Sequence, residues 1–172
     1  MKSIIFLLSL LMVSALWAVP IFNASTGNYY ESVSAGLNWE QARVAAEART
    51  YNGYQGHLVS ITSQAENDFI TSNLTFSGYL IGLFQPSGSP EPSGGWRWTT
   101  DEAFSFVHWG PGEPNNSNGE DYGHFRSDGL WNDIPGTYAP NGYIVEYEPV
   151  PEPSVCFLFL LGIMGLCVSR KR

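Results

Sequence analysis

The chain has 172 residues, enough for one domain with a sizeable core, and its 15% aromatic content excludes a disordered composition and suits a β-rich fold. Four of the eight basic residues (Lys2, Arg170, Lys171 and Arg172) sit at the termini. Between Glu31 and Glu152, four arginines therefore face sixteen carboxylates, a formal net of −12. Such a surface repels phosphate backbones, which excludes a nucleic-acid binder, and it favours cations.

Taken in order, Met1-Lys2-Ser3 followed by the apolar run Ile4 to Val13 reads as a secretory signal peptide over residues 1–18, with cleavage after Ala15 or Ala18. Residues 19–148 form the domain. Tyr29 to Val33 alternates as an opening strand. Asn38 reads as a helix N-cap with Gln41 completing a capping box, and Trp39, Ala42, Ala45 and Ala46 give that helix an apolar stripe through about Arg49. His57 to Ile61 is strand-like. Ser63 and Glu66 set a second capping box before a helix expected to bury Ala65, Phe69 and Ile70. His57 reads as structural, because no His or Cys partner lies at metal-binding spacing.

Tyr79 to Leu83 is an apolar run of strand length, expected to be central and buried on both faces. Gln85 to Gly95 is a Pro/Gly/Ser loop. Trp96-Arg97-Trp98 puts two indoles on one strand face, where they read as core. Trp109 to Gly112 turns the chain into an acidic loop, and Tyr122 to Phe125, Leu130 to Trp131 and Tyr143 to Tyr147 read as closing strands. A strand, two helices, then strands and long loops is an α+β order.

The acidic loop and the strand after it hold Glu113, Asn115, Glu120, Asn132 and Asp133, three carboxylates and two carboxamides with no thiol. A hard cation such as Ca²⁺ takes about six to eight oxygen ligands, so this set covers most of a shell and leaves room for an outside ligand. Its three negative charges are nearly balanced by one dication, and without the ion they would repel.

Gly112-Glu113-Pro114-Asn115-Asn116, Gly119-Glu120-Asp121 and Trp131-Asn132-Asp133, after two helices, resemble the C-type lectin-like domain family. Asn38 to Ala42, Gly56 to Ile61 and Leu80 to Leu83 also look like its helix, strand and core motifs. The resemblance runs from about Tyr29 to Tyr147. It implies two helices, two small antiparallel sheets and a long calcium-binding loop region.

It further implies that the five residues Glu113, Asn115, Glu120, Asn132 and Asp133 bind both Ca²⁺ and carbohydrate. Glu113 with Asn115 would form one arm of the cage, Glu120 with Asn132 the other, and Asp133 would close it. Pro114, through a cis peptide bond, and Trp131 would have structural roles. In that family Glu-Pro-Asn goes with equatorial 3- and 4-hydroxyls, as in mannose and glucose. Two vicinal hydroxyls can each reach the ion, accept from an amide and donate to a carboxylate. Ile134 and His124 read as ligand contacts or as structural residues.

The chain departs from the family pattern at its two disulfides, whose positions fall at about Ala46, Val145, Tyr122 and Gly136. An auxiliary calcium site would have Asn116 and Asp121, but only Glu91 in the preceding loop.

Residues 149–153 read as a Pro-rich linker, residues 154–169 as an apolar transmembrane segment, and residues 170–172 as a basic cytoplasmic tail. Pro151-Glu152-Pro153 before this span resembles the bacterial PEP-CTERM sorting signal. That resemblance implies export, transient inner-membrane anchoring, removal of the tail by an exosortase, and a place at the cell surface or outside the cell, often alongside exopolysaccharide. The other reading of the tail is a permanent single-span anchor. If that segment is helical, as expected, Cys156 and Cys167 would stand about 16 Å apart, too far to bridge.

The leading expectation is an exported, Ca²⁺-dependent carbohydrate-binding protein, with a glycan or polysaccharide as partner. The alternative is a structural or adhesive matrix protein that uses the same fold without sugar. No carboxylate is marked as a general acid, so a glycosidase is not expected.

Overall fold

The computed structural model describes residues 19–149; the expected signal peptide (1–18), most of the Pro-rich linker and the whole sorting tail lie outside the described residues. Among the described residues, nine strands and two helices run in the order β1 (Ile21–Phe22), β2 (Tyr29–Ser34), α1 (Trp39–Glu47), β3 (Thr50–Tyr51), β4 (Tyr54–Leu58), α2 (Gln64–Asn73), β5 (Tyr79–Phe84), β6 (Arg97–Trp98), β7 (Tyr122–Phe125), β8 (Trp131–Ile134) and β9 (Gly142–Pro149). No helix among the described residues is long and apolar enough to cross a membrane.

The spine of the sheet is β1-β2-β9-β5-β7-β8, with β4 also on β9, β3 on β4 and β6 on β5. The two antiparallel groups expected from the resemblance are joined into one mixed sheet. A short parallel pairing, Tyr79 with Gly142 and Leu80 with Tyr143, makes the link. Strand β5 is buried from Tyr79 to Leu83, as its unbroken apolar run predicts. It feeds two cores. Ile81, Leu83, Trp98, Phe125, Trp131 and Ile144 lie on the α2 side. Trp39, Ala46, Leu58, Leu80, Val145 and Tyr147 lie on the α1 side.

Local signals set α1. Asn38 caps it with a reciprocal Gln41 box, and the Trp39 indole N–H donates to the Ile81 carbonyl at 2.8 Å, pinning the helix to β5. The helix ends at Glu47 rather than Arg49. Arg49 instead turns inward to Glu31, donating through Nη2 to both carboxylate oxygens at 2.8 and 2.9 Å, while Tyr147 donates to Glu31 at 2.5 Å.

The expectation for α2 needs correction. Ser63 does accept from the Glu66 N–H at 3.2 Å, but Glu66 does not return to the cap. Its carboxylate takes the Thr62 N–H at 2.8 Å and the Tyr30 hydroxyl at 2.7 Å. Ala65 is exposed and Phe69 half-buried, while Glu66, Asn67 and Ile70 face inward. Two polar residues lie inside because each meets a distant partner: Glu66 meets Tyr30, and Asn67 meets Trp131. Trp96 and Trp98 are both buried, so these indoles are core. Strand β4 starts at Tyr54 and stops at Leu58, and Val59 continues beyond it through an N–H to the Ile144 carbonyl at 3.0 Å.

Candidate functional site

The acidic loop is held at its root by Trp131, the first residue of β8 and fully buried. Its indole N–H donates to Asn67 Oδ1 at 3.1 Å, and its ring meets Trp98, Phe106 and Trp109 edge-on. Its backbone N–H donates to the His108 carbonyl at 2.8 Å. Its carbonyl accepts from Gly110 at 2.8 Å, and Gly110 in turn accepts from the Glu113 N–H at 3.0 Å. An unbroken set of contacts therefore runs from α2 through one indole to the first acidic residue. Gly110 sits where a Cβ would come within 2.6 Å of Arg126 Nη1, so the turn is packed against the β7–β8 hairpin. Asn67 and His108 were not read from the sequence as parts of this site, because their roles depend on tertiary contacts that no local pattern marks; Gly110 was read only as part of the turn into the loop.

Asp133 is the centre of the loop. It is completely buried, and its carboxylate accepts the Asn115 N–H at 3.0 Å and the Asn116 N–H at 2.7 Å. Charge-assisted bonds of this kind fold the loop back over β8. The Glu113–Pro114 peptide between the two expected ligands is cis. The Asn115 amide donates to Glu113, and Asn115 Oδ1 and Glu120 Oε2 both accept the Ser117 N–H, at 2.8 and 3.0 Å. Asn116 Oδ1 takes the Glu120 N–H at 2.7 Å. Asn132 turns its amide to the Asp133 carbonyl.

The structure thus brings Glu113, Asn115 and Glu120 around Asp133, with Asn132 alongside. The donor set is all oxygen, which fits a hard cation. The electrostatics fit as well: partial burial, and next the Asp133 carboxylate, push the Glu113 and Glu120 carboxyls above the usual carboxylate range. A cation would relieve that crowding. Glu113, Asn115, Glu120, Asn132 and Asp133 are the residues that would hold it.

The remaining candidates separate cleanly. Ile134 is buried in the α1-side core. His124 is partly buried beside Tyr138, and burial pushes its imidazole down to about 4, which keeps the ring neutral near pH 7. Asn116 spends its side-chain oxygen on Glu120, and Glu91 is exposed on the Pro-rich loop.

A family model for the lectin C-type domain matches residues 35–144. The chain is 38% identical over 125 residues to a perlucin-like protein of Mytilus galloprovincialis, covering 68% of this chain and 74% of that one. It is 34% identical over 143 residues to halomucin of Haloquadratum walsbyi, which spans 74% of this chain but only 2% of halomucin's own length. Among solved structures, the carbohydrate-recognition domain of cow CD23, determined in the presence of a GlcNAc2Man3 oligosaccharide, superposes with a TM-score of 0.60 at 30% identity. That match covers 69% of this chain and 86% of the other. With a model match over most of its length and the loop geometry in place, the chain belongs to the lectin C-type domain family.

Proposed function

We propose that the protein is an exported, Ca²⁺-dependent carbohydrate-binding module that takes sugars with a vicinal equatorial hydroxyl pair, of the mannose and glucose type. The observation that carries this reading is the buried Asp133 carboxylate, which gathers Glu113, Asn115 and Glu120 through the Asn115 and Asn116 amides. When bound, Ca²⁺ would supply coordination positions for two sugar hydroxyls and neutralise the carboxylates. Glu113 and Glu120 would accept hydrogen bonds from those hydroxyls, and Asn115 and Asn132 would donate to them. The cow CD23 domain studied with a mannose-containing oligosaccharide supports the sugar class.

Pro151-Glu152-Pro153 and the apolar segment behind it support export with transient inner-membrane anchoring and exosortase removal of the tail. The partner would then be exopolysaccharide or cell-surface glycan.

The test is the melting temperature of the purified protein in EDTA, in Ca²⁺, and in Ca²⁺ with mannose. At a hundredfold excess over Kd, Ca²⁺ should stabilise the fold by about 2.7 kcal/mol. Glu113→Gln and Asp133→Asn should abolish that shift. A Ca²⁺ response without any sugar response across a glycan panel would refute the lectin reading, and no Ca²⁺ response would refute the cage. Intact mass of the exported protein tests the tail: a product that retains residues 154–172 would exclude cleavage.

A further inference from the structure

On the opposite side of the domain's sheet from α1, a second group of ligand atoms converges without any part in the acidic loop. His57 on β4 stands directly across the ladder from Glu146 on β9, and Glu148 follows two residues on, so all three side chains share one face. One ligand atom from each lies within 4.8 Å of the others, and among the described residues no other trio of His, Cys, Asp or Glu converges this closely.

The hydrogen bonds around the trio define its chemistry. His57 Nδ1 lies 2.9 Å from the Leu58 carbonyl, which can only accept, so Nδ1 carries the proton. In the neutral ring Nε2 is then a lone pair. It is shielded from solvent, has no hydrogen-bond partner, and lies 3.9 Å from Glu148 Oε1. That distance is too long for a hydrogen bond. It is near the ~3.4 Å that separates neighbouring ligand atoms on a tetrahedral ion with bonds of about 2.1 Å. An imidazole oriented through Nδ1 by a backbone carbonyl, with Nε2 presented to carboxylates, is the arrangement that metal-binding histidines adopt.

Glu146 is held equally firmly. Its Oε1 accepts from Asn28 at 2.8 Å and Tyr30 at 2.9 Å, and its Oε2 accepts the Ser60 N–H at 3.1 Å, leaving Oε2 a free acceptor direction. The Tyr30 hydroxyl, with one proton, also faces Glu66 at 2.7 Å, so it can satisfy only one of these two buried carboxylates at a time. The Glu148 side chain is 40% exposed and gives the group a route to solvent.

We propose that His57, Glu146 and Glu148 form a second metal site, for a borderline transition-metal dication of the Zn²⁺ class, with water in the remaining position. The imidazole nitrogen selects against Ca²⁺, which takes oxygen ligands, and in favour of Zn²⁺ or Co²⁺. The site is independent of the sugar-binding loop.

The test uses full-length protein carrying Cys156→Ser and Cys167→Ser, which removes the thiols, and Glu113→Gln with Asp133→Asn, which disables the loop. After EDTA treatment it is titrated with Zn²⁺ and with Co²⁺. Bound metal per chain, the visible absorption of Co²⁺ and the melting temperature are read. The expected result is one metal per chain with a tetrahedral Co²⁺ spectrum, weakened about tenfold or more by His57→Gln and by Glu148→Gln. Circular dichroism in EDTA shows whether those variants stay folded. In the protein with an intact loop, they should also keep the Ca²⁺ response. Unchanged Zn²⁺ binding in folded His57→Gln, or no Zn²⁺ bound by the loop-disabled protein, would overturn the proposal.

Discussion

The contact between Asn67 and Trp131 ties helix α2 to the root of the acidic loop, and Asn67→Leu isolates it. Both residues are buried, at 2% and 0% exposure, so no solvent replaces the lost acceptor. The substitution leaves a buried indole N–H unpaired, which costs about 1–3 kcal/mol. For a domain of this size, roughly 3–5 °C of melting temperature corresponds to each kcal/mol, so a drop of roughly 3–15 °C is expected. Trp131→Phe removes the same N–H and loses some ring contact with Trp98, Phe106 and Trp109. In the double variant, Leu and Phe face each other with no donor stranded, so the two costs should fall short of adding by about 1–2 kcal/mol. The assay is denaturant unfolding of all four proteins. Costs that add to within about 0.5 kcal/mol would refute the coupling, and with it the idea that this indole holds the loop to the core.

Glu31→Ala should destabilise by about 1–3 kcal/mol, because it removes the buried acceptor shared by Arg49 Nη2 and the Tyr147 hydroxyl; urea unfolding reads it, and a loss below about 0.5 kcal/mol would contradict the burial argument. Burial, and next the bond to Glu31, push the Tyr147 hydroxyl up to about 12. The folded protein therefore keeps a proton that the unfolded chain loses at ordinary tyrosine pKa. Stability should fall as pH rises from about 10 to about 12; because burial raises Tyr30, Tyr122 and Tyr143 as well, Tyr147→Phe should lessen that slope without abolishing it. A wild-type-like slope in Tyr147→Phe would assign the effect elsewhere. In Gly82→Ala the new Cβ would lie 2.6 Å from the Leu58 carbonyl and 3.0 Å from the Val59 carbonyl, where strands cannot part cheaply. It should cost about 1–3 kcal/mol, whereas Gly36→Ala, with open space around it, should change thermal stability little.

What was legible in the sequence was local or fixed by spacing. The Asn38–Gln41 box shows because its partners are three residues apart. Strand β5 shows because its apolar run has no polar face to hide. The loop residues show because Gly-Glu-Pro-Asn, Gly-Glu-Asp and Trp-Asn-Asp keep their order, and the hairpin then brings Asp133 to Asn115. The inward face of α2 was misread because apolar periodicity places Ala65 inside, while the fold buries Glu66 and Asn67 instead. Their partners, Tyr30 and Trp131, lie 36 and 64 residues away, and no window on the helix contains them. The carboxylate neighbours of His57 were hidden for the same reason. A search for nearby His or Cys passes over two glutamates that arrive only when β9 pairs with β4. The joining of the sheet was hidden too, since two parallel residue pairs leave no mark on either strand's composition.

The missing cross-links follow the same physical logic. At the first expected disulfide position, Ala46 and Val145 are both fully buried in the α1-side core, and helix and sheet approach so closely that a Cβ on Gly56 would lie 2.7 Å from the Ala46 carbonyl. At the second, the Tyr122 ring lies where a Cβ on Gly136 would be 2.7 Å from it, and its other side meets Trp39 with centroids 4.7 Å apart. Each place that a disulfide would bridge is filled by shape. A disulfide acts largely by restricting the unfolded chain. Close packing stabilises only the folded state and tolerates little added volume. A domain that depends on packing at these two positions gains independence from redox conditions. In exchange, Gly56 and Gly136 become positions where even one added methyl group must displace backbone or an aromatic ring.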